Sequence, residues 1–378
     1  MKKITALLLA FCLMAGMLSG CGSTEIRSYS EDGGKKDENA RDMAEIYAKY
    51  EPETVVMTVG GEEVAWGEFF YWLNAAVTSA DAENGSPVED WSVESNGTTL
   101  SQNTLDIMKI YIVQYHALNA NAARMGVSLS DEDKAAIQAN MQADIVTYCG
   151  EGATEEDFNK YLETLYMPRE YYDYINSTSV LYNSLFAQTQ GADGEKVSDE
   201  DAMAYAVENG YMSAKHILFS TVDAEGNALS EEEKAEKLKQ AQAVSDELQS
   251  ISDAAAREAR FDVLGEQYNE DTGKALYPNG YCFTDGQMVA EFQSAVEELS
   301  DYEVSEPVES VHGYHVILKK PTTPDSEVSY VSEGVYRTLR YYAAAEIYTK
   351  LVSTWIDEAE VEWQGEFAEL DLGKLLKV

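Results

Sequence analysis

A chain of 378 residues with 27 Lys and Arg against 68 Asp and Glu carries a formal net charge of −41. This excludes a nucleic-acid partner, because neutralising phosphates requires clustered cations. Hydrophobic residues make up 45% of the chain and include 25 Tyr and 10 Phe, so it is no disordered acidic polymer, and its length suits two or three domains, each with its own core.

The chain opens with Lys2 and Lys3, an apolar run from Ile4 to Met17, and Leu18-Ser19-Gly20-Cys21. The run is shorter than the roughly 20 residues a membrane span needs and has the length of a signal h-region. Leu18 to Cys21 resembles a bacterial lipobox. Residues 1–20 are therefore expected to be a lipoprotein signal peptide, with Cys21 as the lipid-carrying mature N-terminus. The remainder would face the extracytoplasmic side of a bacterial cell membrane. Residues 21–50, with Gly33-Gly34-Lys35-Lys36-Asp37-Glu38-Asn39 and little that is apolar before Met43, read as a flexible tether. Cys12 leaves with the signal. Cys149 and Cys282 fall in different segments and read as free thiols.

From Thr54 the pattern predicts a short strand (Val55–Val59), a Gly60-Gly61 turn and an aromatic-rich helix running through Trp66 to Leu73. Ser130 with Asp133 and Thr154 with Asp157 have capping-box spacing, and the same start signal recurs at Ser198–Asp201 and Ser230–Glu233. Leu105, Met108, Ile112, Tyr115 and Leu118 recur at helical spacing, as do Tyr161, Leu162, Leu165, Tyr166, Tyr171, Tyr172 and Ile175. These form the core of a helical domain over residues 51–200, although so many tyrosines also suit a concave face for extended peptides.

After Met212 the period changes. Ala214 to Phe219 reads as a strand, Ser230–Ser250 and Ala256–Tyr268 as helices, Met288–Glu297 as a short helix and Gly313–Leu318 as a closing strand. Pro321 and Pro324 end the unit, since neither can donate to a ladder. Residues 211–320 are thus a compact α+β domain inserted into a helical one. Val328 to Ile356 reads as one long helix, and residues 325–378 are expected to pack back on the N-terminal helices.

Two of the four histidines, His216 and His315, sit on the first and last strands of the insert. Lys215-His216-Ile217-Leu218, then Phe283-Thr284-Asp285-Gly286-Gln287-Met288-Val289 with Phe292, then Glu303 to Val308 and Gly313-Tyr314-His315-Val316-Ile317 resemble, in order and spacing, the parvulin family of peptidyl-prolyl isomerases. Val56 to Leu73 and the C-terminal helix are similar to the chaperone halves of PrsA-type and SurA-type foldases. The resemblance implies an α+β chain: a helical SurA-like lobe, an inserted domain of a four-stranded antiparallel sheet plus helices, and a C-terminal helix returning to the lobe.

It also implies roles. His216 and His315 match the paired central histidines, Ser310 the hydroxyl bonded to them, and Asp271 the group beside the reacting carbonyl. Met288, Phe292 and Phe283 match the proline pocket. Gly280 falls where the family places a leucine wall, in a turn here written Tyr277-Pro278-Asn279-Gly280-Tyr281-Cys282. The loop Ser220 to Glu225 has no Arg or Lys, which argues against phosphorylated substrates.

Other readings compete. Two strand histidines also suit a hydrogen-bonded core, and His116 reads as structural. His312 and His315 would point to opposite faces of a strand, so no metal site is expected, and no cofactor. Cys282 has no base beside it in sequence, and the acidic excess is solvated surface. The expectation is a lipid-anchored extracytoplasmic foldase that acts on Xaa-Pro bonds of unfolded secreted proteins and holds peptides in its helical lobe, which is also a candidate homodimer surface. An inactive parvulin-fold holdase and a solute-binding lipoprotein of a transporter are the alternatives.

Overall fold

The computed structural model describes residues 43–95 and 97–377; the expected signal peptide, Cys21 and the first part of the tether lie outside them. The chain divides into two compact units. One holds the described residues up to Gln188 and those from Tyr348 onward, the other Thr189–Ile347.

The first unit starts inside the span read as tether. Met43–Tyr47 is a helix, α1, whose Ile46 is fully buried, so the tether reading fails for these residues. Ile46 supplies the apolar anchor that a solvated linker lacks. Strands β1 (Val55–Val59) and β2 (Glu62–Ala65) form an antiparallel hairpin that runs into helix α2 (Trp66–Asn84). Trp66 lies 4.8 Å from Tyr50, 5.2 Å from Phe70 and 5.8 Å from Phe69, and its Nε1 donates to Tyr47 O at 2.9 Å. This indole therefore organises the core with its one polar atom satisfied. A short hairpin follows, β3 (Glu94–Ser95) and β4 (Thr98–Thr99), then four helices: α3 (Leu100–Arg124), α4 (Asp131–Cys149), α5 (Glu155–Thr164) and α6 (Arg169–Gln190). Ser130 and Thr154 close reciprocal capping boxes with Asp133 and Asp157.

The tyrosines named as candidates for a peptide-binding face are mostly core. Tyr115, Tyr171 and Tyr172 are buried. Tyr172 O–H donates to Asp144 Oδ2 at 2.7 Å, and Tyr171 Oη accepts from Trp72 Nε1. Protein partners, not a bound peptide or solvent, satisfy these two hydroxyls. His116 is structural, bonded through Nε2 to Glu68 Oε1 at 3.0 Å.

The second unit begins with α7 (Asp199–Glu208), capped by Ser198. Its elements continue as β5 (Met212–Ser220), α8 (Glu231–Gln249), α9 (Ala254–Tyr268), β6 (Tyr281–Phe283), α10 (Ala290–Glu298), β7 (Val308–Ser310) and β8 (Gly313–Lys320). The sheet order is β6-β5-β8-β7, antiparallel throughout. Side chains alternate across it. Ile217, Phe219, Val316 and Leu318 pack with Val244 and Leu248 of α8 and Phe261 and Leu264 of α9, while Ala214 and Ile317 pack with Phe283 and with Phe292 and Val296 of α10.

Val328 to Thr338 is not helical but forms a hairpin of β9 (Glu327–Ser332) and β10 (Val335–Thr338). Glu327-Val328-Ser329-Tyr330-Val331-Ser332 has the period-two, β-branched and aromatic character of a strand, and Glu333-Gly334 is its turn. The helix, α11, begins only at Leu339 and runs to Glu358.

Beyond α11, strand β11 (Val361–Trp363) pairs antiparallel with β1, Met57 opposite Trp363, making the order β11-β1-β2. Helix α12 (Leu372–Leu375) follows. Phe367, Leu372, Leu375 and Leu376 are buried in the same cluster as Trp66. Among the described residues no helix is long and apolar enough to cross a membrane, and Cys149 and Cys282 are free thiols.

Residues 361–377 should therefore be indispensable to the first unit. Leu372→Ala should cost about 2–5 kcal/mol in urea unfolding of that unit, and removing residues 361–377 should abolish its cooperative transition. An unchanged transition in the truncated chain would refute this.

Candidate active site

The register of β5 and β8 sets His216 opposite Ile317 and His315 opposite Leu218. The two histidines are thus diagonal neighbours on one face. Their rings lie 5.1 Å apart and nearly parallel, with the Nδ1 atoms 2.9 Å from each other. The chain of contacts continues at both ends. His315 Nε2 is 2.7 Å from Ser310 Oγ on β7, and His216 Nε2 is 3.0 Å from Asp271 Oδ2. Tyr281 O–H donates to the same Oδ2 at 2.5 Å, and Gly273 N–H to Oδ1 at 2.9 Å.

Proton positions follow from this network. A carboxylate repels a bare ring nitrogen, so His216 carries its proton on Nε2 and donates it to Asp271. With one proton per ring, His216 Nδ1 accepts from His315 Nδ1–H. His315 Nε2 is then bare and accepts the Ser310 hydroxyl, whose oxygen accepts His312 N–H at 3.1 Å. Every donor in the relay points toward Asp271, and no polar atom in it is left over.

Burial shapes the charges. His315 is 3% exposed. Desolvation, then the neighbouring His216 and His312, push its pKa down to about 3. Burial alone would raise Asp271, but hydrogen bonds from His216, Tyr281 and Gly273 outweigh it and hold the carboxyl well below its usual range. Burial and the Asp271 charge drive the Tyr281 phenol far above its ordinary value. Burial also pushes the Cys282 thiol up to about 11, so it stays protonated and is no nucleophile.

Phe292 presents its ring edge-on to both imidazoles, 5.3 Å from His216 and 5.5 Å from His315, and lies 5.8 Å from Phe283. Phe283 and Phe292 are buried, and Met288 packs half-buried on the same cluster. Gly280 sits elsewhere. Its φ is +97°, and a Cβ there would lie 2.6 Å from Ala214 O, so only glycine fits. It lines a cleft of about 390 Å³ with Lys215, His216, Asp271, Tyr277 and Tyr281, which neither Met288 nor Phe292 lines.

Two residues escaped the sequence reading. Tyr281 holds Asp271, and Asn269 pins the Asp271 loop to β5: its Oδ1 accepts Leu218 N–H at 2.9 Å and Asp271 N–H at 3.0 Å, and its Nδ2 donates to His216 O at 3.0 Å. The Asn-x-Asp spacing is an Asx-turn signal for Asn269. Nothing local marks Tyr281. His312 is exposed before β8, and among the described residues no group of three His, Cys, Asp or Glu is placed to hold a metal.

One family model matches where this geometry lies. Residues 216–320 match the family described as Rotamase, PPIC-type PPIASE domain. The foldase protein PrsA of Oceanobacillus iheyensis is 30% identical over 43% of this chain and 46% of its own. That of Halalkalibacterium halodurans is 33% identical over 41% and 40%. The chain thus spans less than half the length of these relatives. The crystal structure of PrsA from Bacillus cereus covers 86% of this chain and 100% of its own at 17% identity, with a TM-score of 0.29.

Two outcomes test the site's physics. His315 stays neutral in the fold, so its contribution to stability is complete above its ordinary pKa of 6.5 and is lost as pH falls toward about 3. The loss should approach ~1.4 kcal/mol per pH unit. Urea midpoints of the second unit between pH 7 and 4.5 should fall more steeply for the natural chain than for His315→Gln. Gly280→Leu should destabilise the second unit by at least about 1 kcal/mol, as strain at a positive φ dictates, with unchanged thermal stability as the contrary result.

Proposed function

We propose that this chain, with a parvulin-type peptidyl-prolyl isomerase domain in residues 216–320, is an extracytoplasmic foldase that catalyses cis/trans isomerisation of Xaa-Pro bonds in unfolded or partly folded secreted proteins. The observation that carries this reading is the closed relay Ser310–His315–His216–Asp271 set against the Phe292 ring. Rotating an Xaa-Pro amide means giving up conjugation against a barrier of ~18–20 kcal/mol, and no covalent bond need form. Catalysis is tighter binding of the twisted amide than of the planar one.

In this reading Met288, Phe292 and Phe283 grip the proline ring. The Asp271 carboxylate stands beside the amide carbonyl and disfavours its planar, charge-separated resonance form. The histidine pair and Ser310 hold that carboxylate's partner in one orientation. Phosphate plays no part: the loop Ser220 to Glu225 is without cations, and Ser220 N–H is already taken by Glu270 Oε2 at 2.7 Å. The helical first unit, completed by residues after Tyr348, acts as the peptide-holding chaperone. Lipid at Cys21 anchors the chain, checked by mass spectrometry of the mature N-terminus, and pairing of two copies through the helical lobe is checked by sedimentation equilibrium.

The decisive assay follows relaxation of an Xaa-Pro tetrapeptide series with the full chain. The rate should exceed the uncatalysed one. Asp271→Ala should lower kcat about tenfold, equivalent to ~1.4 kcal/mol, with little change in KM. Met288→Ala should raise KM and lower turnover together, because ring and twisted state both lose packing. A relaxation rate equal to the uncatalysed one across the series leaves the holdase as the function.

A further inference from the structure

We propose that Tyr281 is a positioning residue of the isomerase site: by sharing Asp271 Oδ2 with His216, its hydroxyl fixes the carboxylate in the orientation that keeps the histidine pair in one tautomer. The inference rests on the isomerase reading for its effect on turnover, and on geometry alone for its effect on the rings.

A carboxylate torsion is soft and nearly two-fold, so a single donor on each oxygen leaves it free to swing. Here Oδ1 takes Gly273 N–H, while Oδ2 takes two donors at once, Tyr281 O–H at 2.5 Å and His216 Nε2–H at 3.0 Å. The nearby cations are engaged elsewhere. Lys274 Nζ donates to Asn269 O at 2.7 Å, and Lys215 Nζ pairs with Asp262 at 2.7 Å and Glu258 at 3.2 Å. The Asp271 charge is therefore held by neutral donors, and the phenol is the one whose removal leaves Oδ2 to His216 alone.

Tyr281 is itself braced. Its ring lies 5.6 Å from His216, edge to face, and 5.0 Å from Tyr277. Tyr277 in turn meets Tyr336 of β10 at 6.4 Å, and Tyr336 O–H donates to Leu276 O at 2.8 Å. Asn279 Nδ2 reaches the Glu327 carboxylate at 3.2 Å. The hairpin after the isomerase domain thus clamps the turn that presents Tyr281, which gives that hairpin a use the sequence did not suggest.

The test compares the full natural chain with Tyr281→Phe, Asp271→Asn and the double variant. Tyr281→Phe should lower kcat about tenfold, the scale of one hydrogen bond to a charged group, with KM and melting temperature nearly unchanged. In the Asp271→Asn background the same change should cost nothing further. Nitrogen-15 spectra of the histidines should show His216 as a single Nε2–H tautomer in the natural chain and as a mixture in Tyr281→Phe. An unaltered tautomer, or an equal kcat loss in the Asp271→Asn background, overturns the proposal. Absence of turnover in the natural chain would instead overturn the foldase reading, and the spectra alone would then decide the role of Tyr281.

Discussion

The pairing of β5 with β8 is the constraint on which the second unit depends. Eight consecutive residue pairs, from Ser213 with Lys320 to Ser220 with Gly313, hold one register. Because side chains alternate, a slip of β5 by one residue would carry His216 to the face packed by α8 and α9 and bring Ile217 to the relay, parting the two histidines. Gly313 guards the end of that register: a Cβ there would lie 2.1 Å from Phe219 O. The apolar pattern of both strands thus secures a polar arrangement it does not contain.

That polar arrangement is stable because it is complete. A buried imidazole or carboxylate left unpaired costs more than its hydrogen bond returns, and here five side chains, Ser310, His315, His216, Asp271 and Tyr281, satisfy one another in sequence. The same burial that keeps His315 neutral strengthens each contact in the relay. Most carboxylates of the described residues face solvent in this chain of net charge −41, whereas Asp271 is held half-buried by donors that bear no full charge. Structure and chemistry meet at this residue, since the bonds that make its burial tolerable also aim its charge.

The first unit solves a different problem. Its three-stranded sheet is closed by a strand from the far end of the chain, with Met57 opposite Trp363, so loop-closure entropy over some three hundred residues is offset by apolar burial around Trp66 and Phe367. The inserted unit lies between the two halves in sequence.

The sequence by itself determined much of this. Periodicity and capping boxes located the helices that Ser130 and Thr154 start, alternation located β5 and β8, and the family resemblance carried by three separated motifs implied roles for His216, Asp271, Ser310 and His315. These signals are local, or are fixed by the order of motifs, which is why they survive in one dimension. Tertiary structure decided the rest. The hairpin at Glu327–Thr338 was hidden because its few strand residues border a strongly helical run. Tyr171 and Tyr172 of the first unit suited an amphipathic face but are buried, and their partners Trp72 and Asp144 are distant in sequence. Tyr281 became visible only when a turn of positive φ at Gly280 set its hydroxyl on Asp271, ten residues away. A side chain whose role is defined by a partner across a loop leaves no periodic trace, and only the folded chain reveals it.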